Sequence, residues 1–308
     1  MPESTTPAAP LRDVTANEIE AFHRDGAVLV KQVLDAEWLE VVLAGLDEAI
    51  AEPDVMSSEL GNLRVDQFPA AKSVHLRRMI DESPLARIVG TALQSPVSFY
   101  MDQLFSKPAG LIPPTPWHQD TCYYNVDGHD LIRAWVSPDP VPRSISLEVV
   151  RGSHRWNATY APLAGRDGER DDEARELFES ATDDAPVLGA DAYQDWSYFS
   201  GVRDARLPPV PAIDDNRASF DILGWDYEPG DVILFHGNAL HSARGDTDSP
   251  TPRRAHASLW AGRDVRYLHR RGQIIPDPIG LYDHEPQSGQ PLSDFEDVFP
   301  ILWSPTTN

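Results

Sequence analysis

Residues 228–241 read EPGDVILFHGNALH. Pro229-Gly230-Asp231 is a turn signal. Val232-Ile233-Leu234-Phe235 is a short β-branched and aromatic run of the kind that fills a strand buried on both faces. His236, Gly237, Asn238 and His241 follow, so the stretch predicts a buried strand that delivers a histidine near its end. Both imidazoles are candidates for chemistry. His236 continues the apolar run, which equally suits a packed or hydrogen-bonded histidine.

Outward from this stretch, similar short runs recur at Val97–Phe105, Leu131–Val136, Leu147–Val150 and Ala255–Trp260, punctuated by Pro and Gly. Many short strands with turn signals predict a mainly β sandwich or barrel. Helices flank it on the N-terminal side. Thr15 and Glu18 form a capping-box pattern ahead of Ile19 and Phe22, which predicts a helix over 15–25 that Gly26 ends. Ala27–Val33 then reads as a strand. Ala36–Ala51 places Trp38, Leu39, Val42, Leu43, Leu46 and Ile50 on one side of a second helix. Residues 163–220 break the series with acidic, Pro-containing sequence, partly helical near Asp171–Ala181. They read as an insertion able to cover a site. The polar, Pro-rich residues 1–10 predict a disordered tail, leaving 11–308 as a single domain.

The 308 residues carry 26 basic against 49 acidic side chains, a net charge of −23. Such a surface repels nucleic acid and anionic membrane, so neither is an expected partner. No apolar run approaches the ~18 residues of a membrane span, and the start has neither a basic region nor an apolar core of a signal peptide. With one cysteine, Cys122, the chain can form no internal disulfide and no Cys-rich zinc site. The expected setting is the reducing cytoplasm; the oligomeric state is not legible.

Iron that activates oxygen needs two neutral imidazoles and one carboxylate on one face, with the remaining positions open. Trp117-His118-Gln119-Asp120 offers a His and an Asp two residues apart, which share a face at a strand end. Alone, the pair equally fits a solvated surface. His236 or His241 would supply the second imidazole. Arg253, followed by Arg254, opens the strand through Trp260. A guanidinium can hold both oxygens of a carboxylate, though either arginine also fits a surface charge.

Four stretches taken in order resemble the phytanoyl-CoA dioxygenase family of Fe(II)/2-oxoglutarate oxygenases. They are EIEAFHRDGAVLV (Glu18–Val30), KPAGLIPPTPWHQDTCYY (Lys107–Tyr124), LEVVRGSHRW (Leu147–Trp156) and Glu228–Trp260. The resemblance implies a double-stranded β-helix, a cupin-like jelly roll. It implies Fe(II) on His118, Asp120 and His241, with 2-oxoglutarate and dioxygen as co-substrates. It places the co-substrate's far carboxylate on Arg253, one residue from the alternative Arg254, with Lys107 beside it and Gln103 and Ser242 as further contacts. Trp135 reads as core or as a site-facing residue, and His154 of the Gly-Ser-His turn as structural. The sequence departs from the family at Arg143-Ser144-Ile145-Ser146, where Asn-Gly is common, and at Ala243-Arg244-Gly245-Asp246, where Asn-x-Ser is common. Halogenating relatives replace the carboxylate ligand with a small residue; the retained Asp120 implies hydroxylation. The expected substrate is a small molecule, in a pocket that Tyr123, Tyr124 and Tyr193–Phe199 could line. The competing readings are a jelly-roll metalloprotein that needs no 2-oxoglutarate, and a non-catalytic binding module.

Overall fold

The computed structural model describes residues 7–54, 56–60, 63–161, 207–269, 284 and 286–305. Ala16–Asp25, Ala36–Ala51, Val74–Asp81 and Leu85–Leu93 form helices α1 to α4. The first eight strands are β1 (Ala27–Val30), β2 (Ser57–Leu60), β3 (Leu63–Gln67), β4 (Val97–Lys107), β5 (Gly110–Ile112), β6 (Thr115–His118), β7 (Val126–Asp127) and β8 (Leu131–Val136). They continue with β9 (Leu147–Val150), β10 (Ile222–Gly224), β11 (Val232–His236), β12 (His241–Ala243), β13 (Asp246–Ser249), β14 (Arg253–Ala261), β15 (Arg266–Tyr267) and β16 (Ile301–Trp303).

The large sheet runs β1-β11-β8-β14-β4-β3-β2, with β16 also on β4, and the smaller one runs β10-β9-β12-β6. All of these pairings are antiparallel. Period-2 alternation assigns each face of β11 to a different layer. Val232 and Leu234 pack with Val28, Val30, Ile132, Ala134 and Val136 under the helices. Ile233 and Phe235 pack with Leu147 and Val149 of the smaller sheet. Burying one such side chain contributes about 2 kcal/mol. The result is the mainly β jelly roll with flanking helices that the sequence predicts.

The same alternation decides the interior. On β8, Ile132, Ala134 and Val136 join the helical layer, so Arg133 and Trp135 point between the sheets. On β14, Trp260 joins the helical layer and Arg254 reaches Asp47 of α2, whereas Arg253 lies on the interior face.

At the N-terminus the capping box forms as read: Thr15 Oγ1 accepts from Glu18 N at 3.3 Å, and Glu18 Oε2 accepts from Thr15 N at 2.8 Å. Gly26 ends α1 at φ +82°, where a Cβ would lie 2.3 Å from His154 Nδ1. Helix α2 has the predicted bounds, but its buried face is Trp38, Val41, Val42, Gly45, Leu46 and Ala49. Gly45 rotates that face towards α3, because its missing Cβ leaves room for Leu76 Cγ at 2.7 Å from the ideal position.

Three details differ from expectation. β1 stops at Val30, because Gln32 turns to φ +52° and its N–H donates to Asp231 Oδ1 at 2.9 Å. Helices α3 and α4 were not read from the sequence, although α4 carries an apolar stripe of Leu85, Ile88, Val89, Ala92 and Leu93, with Arg87 and Thr91 on its less buried side. The expected tail is docked where it is described, with Ala8 N–H donating to Glu82 O at 2.7 Å. Of the expected insertion, Asp171–Ala181 and Tyr193–Phe199 lie outside the described residues, and Asp214–Ser219 forms a 3₁₀ turn. No helix among the described residues is long and apolar enough to cross a membrane.

Candidate metal centre

His118 and His241 are direct cross-strand partners in the β6–β12 ladder. Opposed residues of an antiparallel pair share a face and hold their Cβ atoms about 5 Å apart. Here the imidazole centroids are 4.1 Å apart. The neighbouring Trp117 points the other way, into a cluster with Val150, Ile213 and Leu240, and its Nε1 donates to Asp214 Oδ1 at 3.0 Å.

Asp120 reaches the pair by a route other than the expected strand. β6 ends at His118, and Asp120 turns to φ −77° and ψ −40°, opening a 3₁₀ turn. The turn is anchored on the β11–β12 connection: Asp120 and Thr121 donate their N–H groups to Gly237 O at 3.0 and 3.2 Å. Gln119 Nε2 donates to Asn238 O at 2.8 Å. Gly237 lets the connection pack closely there, since a Cβ would sit 2.8 Å from Leu131 Cδ2.

Asp120 Oδ1 lies 3.8 Å from His118 Nε2 and 3.6 Å from His241 Nε2, and the three donor atoms fall within 4.8 Å of one another. Hydrogen bonding assigns the tautomers. His118 Nδ1 lies 2.8 Å from Pro116 O and His241 Nδ1 lies 3.0 Å from Ala239 O. A carbonyl only accepts, so each Nδ1 carries the proton and each Nε2 presents a lone pair to Asp120 Oδ1. Burial lowers both imidazoles, His241 to about 3, and so keeps them neutral. Burial alone would raise Asp120, but the Arg133 guanidinium outweighs it and holds the carboxyl below its usual range. Two neutral nitrogens and one anionic oxygen, converging with Asp120 and His241 buried and His118 partly so, fit a divalent first-row metal of the Fe(II) type. The other histidine candidate lies elsewhere. His236 Nδ1 accepts from Asn238 N at 3.0 Å, and its ring packs with Phe22, His129 and His154.

The adjacent arginines separate cleanly. Arg254 Nε and Nη2 bind Asp139 at 3.1 and 2.9 Å, a bidentate pair on the helical face. Arg253 is buried and donates only to the carbonyls of Ile145 and Arg244; among the described residues it has no carboxylate partner. Burial pushes its guanidinium down and nearby Tyr227 opposes that. A buried cation without an acid is costly unless an anion joins it. Lys107 sits opposite Arg253 in the β4–β14 register, with Nζ on Pro113 O at 2.7 Å. Trp135 and Tyr227 share the same interior cluster. Trp135 Nε1 is buried beside the Tyr227 hydroxyl, which burial pushes up to about 12.

Two expected contacts lie elsewhere. Gln103 Oε1 accepts from Arg133 Nη1 at 2.8 Å and its Nε2 donates to Gln67, so it belongs to the network behind Asp120. Ser242 opposes Glu148 across the β12–β9 ladder, on the face turned away from His241. His154 is structural: its ring packs on Gly26, and Nε2 lies 3.2 Å from His23 O. Cys122 is buried, its Sγ 3.1 Å from Gln119 O. Arg133 was missed. Its signal is a charge inside the apolar run Leu131–Val136 at the parity of Trp135.

A profile of the family described as phytanoyl-CoA dioxygenase matches residues 22–255. The ectoine dioxygenase of Sphingopyxis alaskensis is 22% identical over 252 residues, covering 78% of this chain and 73% of that protein. Among solved structures, the fold is similar to the non-haem alpha-ketoglutarate-dependent epimerase SnoN from nogalamycin biosynthesis. The TM-score is 0.64 at 19% identity, covering 95% of this chain and 97% of the other. EctD from S. alaskensis in its apo form gives 0.60 at 20% identity, covering 94% and 90%.

Proposed function

The chain belongs to the phytanoyl-CoA dioxygenase family, and from that premise we propose that it is an Fe(II)- and 2-oxoglutarate-dependent dioxygenase that hydroxylates a C–H bond of a small-molecule metabolite. The balance is substrate, dioxygen and 2-oxoglutarate in, and hydroxylated substrate, succinate and carbon dioxide out. The observation that carries the reading is the convergence of His118 Nε2, His241 Nε2 and Asp120 Oδ1 within 4.8 Å.

His118, Asp120 and His241 would hold the metal. Bound there, Fe(II) supplies the activation of dioxygen that is coupled to decarboxylation of the keto acid. The Pro116 and Ala239 carbonyls orient the two imidazoles and fix their tautomers. Arg253 would receive the far carboxylate of 2-oxoglutarate, with Lys107 beside it. Burial of this interior excludes water and strengthens that ion pair.

A small substrate is favoured over a CoA thioester, because a chain at −23 offers no basic docking run for a polyanion. The relative named for ectoine agrees with a small molecule. The acidic surface disfavours nucleic acid and anionic membrane as partners, and the lone thiol suits the cytoplasm.

The test is an anaerobic titration of metal-free protein with Fe(II) and 2-oxoglutarate, read by the weak visible metal-to-ligand charge-transfer band. The band is expected in the wild type and absent in His241→Ala. Iron binding without the band would exclude the co-substrate and leave a metal-only jelly-roll enzyme.

A further inference from the structure

The residue pressed against the metal carboxylate is Arg133, only 2% exposed. Its Nε donates to Asp120 Oδ2 at 2.9 Å, the oxygen that is not aimed at the imidazoles. Nη1 donates to Gln103 Oε1 at 2.8 Å and to Ala257 O at 3.3 Å, and Nη2 donates to Tyr124 Oη at 2.6 Å. Gln103 is held in turn by Gln67 at 2.9 Å. The guanidinium is therefore fixed by three strands and a turn, and it engages one oxygen of Asp120 while leaving the other free.

This arrangement has two physical consequences. A carboxylate pinned through Oδ2 can offer a metal only Oδ1, so it does not chelate and does not cover a neighbouring coordination position. The paired charges of Arg133 and Asp120 also cancel. A metal dication held by two neutral imidazoles and a compensated carboxylate then retains a local charge of about +2, whereas an uncompensated carboxylate would leave about +1. 2-Oxoglutarate is a dianion. The structure thus trades some attraction for the metal cation, which Arg133 repels, for attraction to the anion that follows it.

We propose that Arg133 is a positioning residue that restricts Asp120 to one-oxygen ligation and sets the charge of the centre to suit a dianionic co-substrate. The inference rests on the metal-centre reading above.

The proposal predicts that the two affinities diverge, which a residue that only supports the fold would not produce. Full-length, metal-free protein is titrated anaerobically with Co(II), followed by its visible absorption. The Co(II)-loaded form is then titrated with 2-oxoglutarate, followed by tryptophan fluorescence. Arg133→Gln is expected to bind Co(II) as tightly as the wild type or more tightly, and to bind 2-oxoglutarate weaker by on the order of tenfold. Arg133→Lys, which keeps the charge but not the three-way fork, is expected to hold 2-oxoglutarate within about threefold of wild type. If Arg133→Gln does not fold, the Lys variant decides. A loss there of tenfold or more, or parallel weakening of both ligands in Arg133→Gln, or no change in either, overturns the proposal. Failure of the wild type to take up Co(II), or unchanged uptake by His241→Ala, would overturn the metal centre itself rather than the role of Arg133 alone.

Discussion

Replacing His236 with asparagine removes a group that resists protonation in the folded state. The ring is 1% exposed, its Nδ1 is occupied as an acceptor from Asn238 N, and His154, His129 and His23 lie around it. Burial, followed by repulsion from these neighbours, lowers its pKa from 6.5 to about 3. In the unfolded chain it returns to about 6.5. Below that value the unfolded state takes a proton that the folded state refuses, so stability is full above about pH 6.5 and falls as pH drops towards 3. Between pH 7 and pH 5 the loss from this one group is about 2 kcal/mol. Urea unfolding of the metal-free protein at both pH values measures it. His236→Asn will be less stable than wild type at neutral pH, yet should lose about 2 kcal/mol less on going to pH 5. Equal losses for the two proteins would refute the argument. His118 and His241 titrate in both proteins and cancel from the comparison.

Other outcomes follow from the same geometry. Arg253→Gln should raise the KM for 2-oxoglutarate by about 100-fold, while Arg254→Gln, whose partners are Asp139 and Asp47, should change stability and leave that KM within about twofold. Adding Co(II) at 100 times its dissociation constant should stabilise the wild type by about 2.7 kcal/mol in thermal melts and leave His118→Ala unshifted. Gly45→Ala should destabilise by about 1–3 kcal/mol in urea unfolding, because the overlap with Leu76 exceeds the gain in helix propensity. Thr15→Ala should cost about 1 kcal/mol through loss of the capping box.

What could be read from the sequence was whatever depends on local pattern. The α2 bounds, the α1 cap and the doubly buried β11 follow from period and capping chemistry within a short window. The candidate trio of His118, Asp120 and His241 was legible because its residue types are rare in that order. What stayed hidden depends on partners distant in the chain. Strand parity, visible only once Val136 and Trp260 are seen under the helices, separates Arg253 from Arg254. The same parity turns Ser242 away from the site. Asp120 looked like a strand residue because a His-x-Asp pair satisfies strand geometry; its true support, Gly237 O, lies in another connection. Arg133 was overlooked because one charge in a run of six apolar-type positions looks like noise until its acceptors are known. Helix α4 carries its stripe over only nine residues, too short a window for the period to stand out.

The cross-strand pairing of His118 with His241 bears on how such a chain can diverge. Both imidazoles are placed by ladder register, and the carboxylate by a turn clipped to the strand connection beside them. Apart from that turn and the β11–β12 connection that holds it, none of the three depends on the length of the loops that join the strands. The other segments between β6 and β12 can therefore lengthen, shorten or change character without displacing any of the three side chains. The chemistry and the choice of substrate are thereby separable, and a family built on this ladder can recruit new metabolites by rewriting its loops while its metal centre stands still.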